Sequence, residues 1–568
     1  MNETSTTITI TIMTLMTTGG CISAEPGAGT GVGTGGTNSG MTAASTVGSG
    51  TEATMTAGGD GSADGVDPPC AEQSCTCADD QDCASGYCVD GVCCDLPCEG
   101  SCQTCSSTPG TCQVVPAGED PDLECSPGVC GSGQGCVEGR LEWIQGYGAP
   151  LDSTGAENWD SASGIVADPR GNLYVMGSFE GTIQFGDQEY VSLGGQDIFV
   201  LSLDPDGNVR WSQHYGTSGH DRGAAITIVP GGGVVAAGSA SGDPGFAGEW
   251  SDGLRGFVIA LDDASGSLQN SVVIQSDELS RVHAVTPDAT GDLFVVGGFQ
   301  GNLLVSEEPQ SSVGDEDMFL VRLDSDLTLQ WSWTGGNEGK DFARGVAVHP
   351  SGMVAITGYA NNDASPEAMG SRQDVYIASL QSDSGSLNWQ QTYVSSIGYQ
   401  DKGHDVAFLP GGDLVVTGFF SEQINFGTGS MLVQGERDIF LTRLAGSTGS
   451  AVWAESFGGL GRETAFGITV DDDEHIVIAG QMSDSVNFGG SNLVATGTDL
   501  FAAKFTADGL HLWSTNYGQE DNESVSDVAV DASGDVYLAG WFRGDDTYEG
   551  VPLSAAEGSD AFVMKLSR

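Results

Sequence analysis

Counting back seventeen residues from a glycine that recurs seven times gives Asp160, Asp221, Ser280, Asp341, Asp401, Glu463 and Glu523. Six of the seven positions are acidic. Acids at one position of a repeat come together if the repeats are set about an axis, and three chemistries are open to them. Each can accept backbone N–H bonds and fix its own turn. Together they can form an electronegative binding mouth, or they can hold a metal ion. Calcium needs oxygens converging at roughly 2.3–2.6 Å, which separate loops rarely supply. Two carboxylates ~10 Å apart in water repel by only about 0.4 kcal/mol, so a spread ring tolerates itself without a cation. Asp160, Asp221, Asp341, Asp401, Glu463 and Glu523 are therefore taken as a candidate acidic channel mouth, with no metal assigned.

One repeat breaks the pattern. Its third segment opens with Arg255, where the others have Asp197, Asp317, Asp374, Asp438, Asp499 and Asp560, which read as turn caps. Gln269 and Asn270 stand where a Trp is expected, and Ser280-Arg281 replaces the next acid. In a chain with 18 Lys and Arg, Arg255 and Arg281 form a candidate contact for an anionic partner. His283 and His404 share a repeat position in the third and fifth copies and read as too far apart to share a proton or a metal. No His-Glu-x-x-His, Gly-x-Ser-x-Gly or phosphate-loop motif occurs, so no catalytic or cofactor-binding residue is assigned.

The elements that must position these residues follow from the repeat itself. The glycine recurs as Gly177, Gly238, Gly297, Gly358, Gly418, Gly480 and Gly540, about sixty residues apart. Each copy reads as four short strands. Segments such as Gly164-Ile-Val-Ala-Asp168 form the first and Val536-Tyr-Leu-Ala-Gly540 the second. The third opens at the repeated Asp, and the fourth carries Trp211, Trp331, Trp389, Trp453 or Trp513. Turns such as Asp168-Pro-Arg-Gly-Asn172 supply Gly and Asn where positive φ is needed. Four strands per repeat without helices is the pattern of an all-β, seven-bladed β-propeller. The region opens on Leu141-Glu-Trp143, which matches a fourth strand, and stops at Asp560-Ala-Phe-Val-Met-Lys-Leu566, which is a third. The N-terminal strand is expected to complete the last blade as its outer strand and close the ring.

The repeat resembles the bacterial seven-bladed propeller family known as SBBP repeats, through Gly-Gly-x-Asp197-Ile-Phe-Val, Asp206-Gly-Asn-x-x-Trp211 and Ala-x-Asp531-x-x-Gly-Asp-Val-Tyr-Leu-Ala-Gly540. That resemblance implies an exported or cell-surface propeller without an agreed activity. Ser384-Gly-Ser-Leu-Asn-Trp389 is faintly similar to quinoprotein docking segments, with no recognisable cofactor pocket.

The rest of the chain reads as a delivery system. Residues 1–21 form a short leader ending in Thr-Thr-Gly-Gly-Cys21, which resembles the lipobox of bacterial lipoproteins, with Cys21 as the lipidation site. Glu3 and the absence of Lys or Arg before it, and Thr18, depart from that pattern. Residues 22–69 are Gly, Ser and Thr with few bulky apolar groups and read as a disordered tether. Residues 70–139 hold fourteen of the 15 cysteines and read as a disulfide-rich module made in an oxidising compartment; the run resembles a Dickkopf-type cysteine-rich pattern. Residues 140–568 are the propeller. With 78 acidic residues and a net charge of −60, the surface disfavours nucleic acid and anionic headgroups, leaving the membrane reachable only through an N-terminal lipid. The expectation is a monomeric, non-enzymatic exported protein. It binds a protein or glycan, with cations a further candidate, and needs no cofactor. The alternative is a secreted propeller enzyme, a polysaccharide hydrolase, lyase or quinoprotein, with its site assembled from scattered loops.

Overall fold

A computed structural model describes residues 139–568, apart from 149–157, 247–249, 251–252, 306–308, 362–372, 395–399, 519 and 556–557, and six two-residue strands between 88 and 137. Those six pair as antiparallel hairpins, Cys88–Val89 with Val92–Cys93, Gln103–Thr104 with Gln113–Val114, and Val129–Cys130 with Cys136–Val137. The leader, Cys21, the tether and the cysteine side chains lie outside the described residues.

The described remainder is a seven-bladed β-propeller. Blade 1 comprises Ser161–Ala167, Leu173–Phe179, Asp197–Leu203 and Val209–Tyr215, paired antiparallel in chain order. Blades 2 to 6 repeat this arrangement, with first strands Arg222–Ile228, Leu279–Pro287, Phe342–His349, Lys402–Phe408 and Thr464–Val470. Blade 7 takes Glu523–Val530, Val536–Phe542 and Gly558–Leu566 from the C-terminal end, and its outer strand is Leu141–Tyr147. The expected clasp is therefore present, and it removes the sheet edge that Gly558–Leu566 would otherwise expose. Asn158–Trp159 adds a short parallel pair beside Gly558 and Ser559.

Apolar burial follows position in the blade. Second and third strands are buried along nearly their whole length, as in Leu173–Phe179 and Asp197–Leu203, because neighbouring blades cover both their faces. Outer strands bury little beyond their Trp and flanking apolar positions. The first strands touch one another in succession around the ring, and blade 7 touches blade 1. They form the wall of the channel.

Four of the five repeated Trp residues link their blade to the next through the indole N–H, while that of Trp513 has no partner among the described residues. Trp211 Nε1 donates to the Asp263 carbonyl at 2.9 Å, Trp331 to Ser382 at 3.0 Å, Trp389 to Gly446 at 2.7 Å and Trp453 to Ala507 at 3.1 Å. Trp143 of the clasp does the same to Pro205 at 3.2 Å, across the closure. Each indole lies over a turn glycine, Gly266 (φ 70°) under Trp211 and Gly385 (φ 66°) under Trp331, where a Cβ would overlap the ring. Blade 2 has no Trp on its outer strand, yet its link is kept. Asn270 Nδ2 donates to the Asp326 carbonyl at 2.8 Å. The turn glycine below is replaced by Leu327 at φ 61°, and the buried Leu side chain packs in the adjoining core.

Candidate functional site

The blade glycine and the channel wall are two sides of one feature. Each first strand carries a β-bulge opposite that glycine. The bulge drives a first-strand carbonyl into the space a Cβ would need: Ser161 against Gly177, Arg281 against Gly297, Lys402 against Gly418. Only glycine fits there. The residue that the bulge leaves unpaired lies fourteen positions before the glycine: Ser163, Ala224, His283, Arg344, His404, Phe466 and Ser526. All seven line one channel of about 1530 Å³. Bulges re-aim side chains in this way. The sequence pattern shows the glycine and the shared position of His283 and His404, but not that this position faces the axis.

The channel chemistry is asymmetric. Blades 3, 4 and 5 place His283, Arg344 and His404 side by side, with Arg281 and Arg222 also on the wall. Burial pushes His283 down to about 3, helped by Arg344, Arg281 and Arg222. His404 is pushed well below its usual range by burial and by Arg344, Lys402 and Arg437. Both imidazoles are therefore uncharged near neutral pH. Nε2 of each and Nε of Arg344 are buried without a hydrogen-bond partner among the described residues, and such a group typically costs about 1–3 kcal/mol. Where blade 7 meets blade 1, the mouth is aromatic. Trp159, 43% exposed, lies under the Arg543 guanidinium at 4.4 Å, and Trp541 flanks it.

Deeper in the wall, Asp405 Oδ2 accepts from the Ile468 N–H at 3.1 Å and Asp527 Oδ2 from the Ile165 N–H at 2.9 Å, so each carboxyl joins neighbouring first strands. Burial, then Asp527, pushes Asp405 up to about 8, and burial pushes Asp527 up to about 6.

The acids at minus seventeen sit at the head of the first strands, but their side chains do not line the channel. Asp160, Asp221, Asp341, Asp401, Glu463 and Glu523 are all fully buried. Most act through one device, accepting the N–H twenty residues ahead, four residues behind, or both. Asp341 takes Asn361 at 2.7 Å and Asn337 at 2.8 Å; Asp221 takes Ser241 at 2.8 Å and also Thr217. Asp160 takes Glu180 at 3.0 Å, Asp401 takes Ser421 at 2.9 Å and Glu463 takes Gly459 at 3.1 Å. They tie the first strand to the loop leaving the second. Burial raises Asp160 to about 8, Glu463 to about 7 and Asp341 to about 6.

Arg255 and Arg281 part company. Arg255 is 2% exposed and donates to the Leu254 carbonyl at 2.8 Å and the Glu278 carbonyl at 2.6 Å, so its charge is inside the blade and not offered to a partner. Arg281 stays on the channel wall, bridged to Glu316. The Asp197-type residues cap turns as read: Asp197 accepts from Leu193 N–H at 2.8 Å, Asp317 from Val313 at 2.8 Å and Asp438 from Gln434 at 3.0 Å. Away from the channel, Asp471, Asp473 and His475 lie close enough to suggest a cation site. The buried Lys504 ammonium already stands 2.9 Å from Asp471 Oδ2.

No family model and no curated protein matches the chain. Among solved structures it is similar to BamB from Moraxella catarrhalis, with 12% identity, TM-score 0.33, and coverage of 75% of this chain and 100% of that one. A europium-containing methanol dehydrogenase gives 10% identity, TM-score 0.35, and 75% and 93% coverage. Sqt1 from Chaetomium thermophilum gives 11% identity, TM-score 0.37, and 74% and 100% coverage. At these values the likeness carries nothing further for this chain.

Proposed function

We propose that the protein is an exported, non-enzymatic binding module of the SBBP-repeat kind that takes its ligand at the channel mouth where the first strands begin. The observation that carries this reading is the composition of that mouth. A rigid ring brings exposed aromatic surface at Trp159, flanked by the half-buried Trp541, together with Arg222, Arg281 and Arg344 on a chain of net charge −60. Aromatic and cationic groups held on closed sheets are preorganised, so little ordering cost falls on binding. The lipobox-like Cys21, the tether 22–69 and the cysteine-rich run 70–139 support delivery to a cell surface, with the propeller acting as a monomer.

A second reading, a hydrolase working through Asp405 and Asp527, draws on their raised pKa values of about 8 and about 6. Their oxygens already accept backbone N–H bonds from Ile468, Val406, Ile165 and Val528, which suits wall-building better than proton transfer. Retention of the full-length protein on immobilised polysaccharides and surface proteins, assayed alongside release of new reducing ends, separates the two. Retention without product, weakened at least fivefold by Trp159→Ala, is the expected result. Product that disappears in Asp405→Asn would replace this reading with the enzyme.

A further inference from the structure

The cations that line the channel wall occupy a single arc, with Arg543 apart from them over Trp159 at the blade 7–blade 1 side of the mouth. Arg222, Arg281 and Arg344 line the wall in blades 2, 3 and 4, and behind them Lys402, at the head of the first strand of blade 5, lies over the Tyr359 ring at 4.8 Å. The first strands of blades 6, 7 and 1 carry neither Lys nor Arg. Arg281 is matched by Glu316, which also takes Lys340 at 3.1 Å. Arg222 and Arg344 have no salt bridge among the described residues, although the chain carries 78 acids; Arg344 stands over the Tyr359 ring at 5.7 Å. Among the described residues, the Arg222 side chain donates to Gln196 Oε1 at 3.4 Å. Lys402 is pushed down to about 8 by burial and then by Arg344 and Arg437, so the cations press on one another. An oxyanion between them would relieve that repulsion, and the partnerless polar atoms of His283, Arg344 and His404 lie on the same arc.

We infer that this arc binds the carboxylate of a sugar acid, with the pyranose directed toward Trp159 on the blade 7–blade 1 side of the mouth. The inference rests on reading the mouth as a binding face and adds the ligand class. Charge sets the size. A net charge of −60 repels an extended polyanion lying over the surface within a Debye length of about 8 Å, while a single carboxylate reaching the arc meets local cations. Charge-assisted hydrogen bonds to guanidinium and ammonium are the stronger kind. The neutral imidazoles suit hydroxyls, which both donate and accept.

The test is calorimetric titration of the full-length protein with D-glucuronate and D-glucose at constant ionic strength. The two differ only at the carboxylate. D-glucuronate is expected to bind at least about tenfold more tightly, with Arg344→Gln and Arg222→Gln each losing about that factor and the exposed Arg170→Gln losing none. Equal affinity for the two sugars, or no binding of D-glucuronate, in the wild-type protein overturns the inference without relying on any variant. Unchanged affinity in both Arg344→Gln and Arg222→Gln does so as well. A glucuronate disaccharide that binds as well as the monomer identifies a chain end as a source; a long polyuronate binding more tightly than both overturns the size argument. If neither sugar binds but retention on surface material still depends on Trp159, the ligand class fails and the binding face stands. If retention is also lost as a property of the mouth, both fail.

Discussion

At the scale of single residues, substitutions come in physically coupled sets. Blade 2 gives up its Trp and the next turn gives up its Gly together: Asn270 keeps the bond to the Asp326 carbonyl, and Leu327 fills the volume an indole would occupy. Asn270→Trp alone is expected to destabilise by about 1–3 kcal/mol through overpacking against Leu327. Adding Leu327→Gly should recover at least about 1 kcal/mol in a double-mutant cycle followed by urea unfolding. Additive effects would show that the indole and the turn residue are not coupled. The sequence displays Asn270 as an irregularity, and Arg255 beside it, because type alone does not reveal whether a polar group points out or caps a carbonyl inside.

The buried acids give a second expectation at this scale. Asp160, Asp405, Glu463, Asp341 and Asp527 are raised to about 8, 8, 7, 6 and 6, chiefly by burial, from ordinary values near 4. A raised folded-state pKa gives stability that is complete below the unfolded value and lost as pH rises through the folded one. Asp168 and Asp204 are held low by hydrogen bonds from their turns and act oppositely below about pH 4, and the buried, depressed His283 and His404 act oppositely below about pH 6.5, against five raised acids. The melting temperature is therefore expected to rise on going from pH 8 to pH 5. The gain should persist in 1 M salt, which screens surface repulsion but not buried groups. A flat or falling profile in salt would contradict the ionisation assigned to these acids.

At the scale of elements, the clasp and the bulges govern. Leu141–Tyr147 supplies the outer strand of blade 7, burying Leu141, Ile144 and Tyr147, and Lys565 reaches Glu142 at 2.8 Å across it. Removing residues 140–148 leaves Gly558–Leu566 as an open edge. The expected outcome is a lower melting temperature and concentration-dependent association, seen by light scattering; an unchanged monomer would mean the ring does not need its N-terminal strand. Strand order, turn glycines and closure were all legible in the sequence, because periodicity and Gly placement are dictated by backbone geometry. The candidate site was legible only in part. The acids at minus seventeen were found by counting, but a carboxylate that rims a mouth and one that turns inward to cap two N–H groups have the same spacing. The bulge residues, fourteen before each glycine, range over Ser, Ala, His, Arg and Phe, so the only repeats of type are Ser163 with Ser526 and His283 with His404, too little for a signal.

At the scale of the whole molecule, residues 137–568 contain no cysteine and are strongly acidic. Reductant is therefore expected to leave the propeller's thermal transition in place, whatever it does to the region from Cys70 to Cys136. Loss of the propeller transition under reductant, followed by calorimetry, would show that the two depend on each other. The central claim is that ligand is taken at the mouth where the first strands begin, on one arc of an asymmetric ring. Hydrogen–deuterium exchange on the full-length protein, with and without polysaccharide or surface material that retains it, tests this most directly. The expected result is protection confined to segments 158–163, 220–225, 279–284, 342–345 and 402–405. Protection confined to the outer strands or to the opposite mouth, around 168–172 and 531–535, would contradict it.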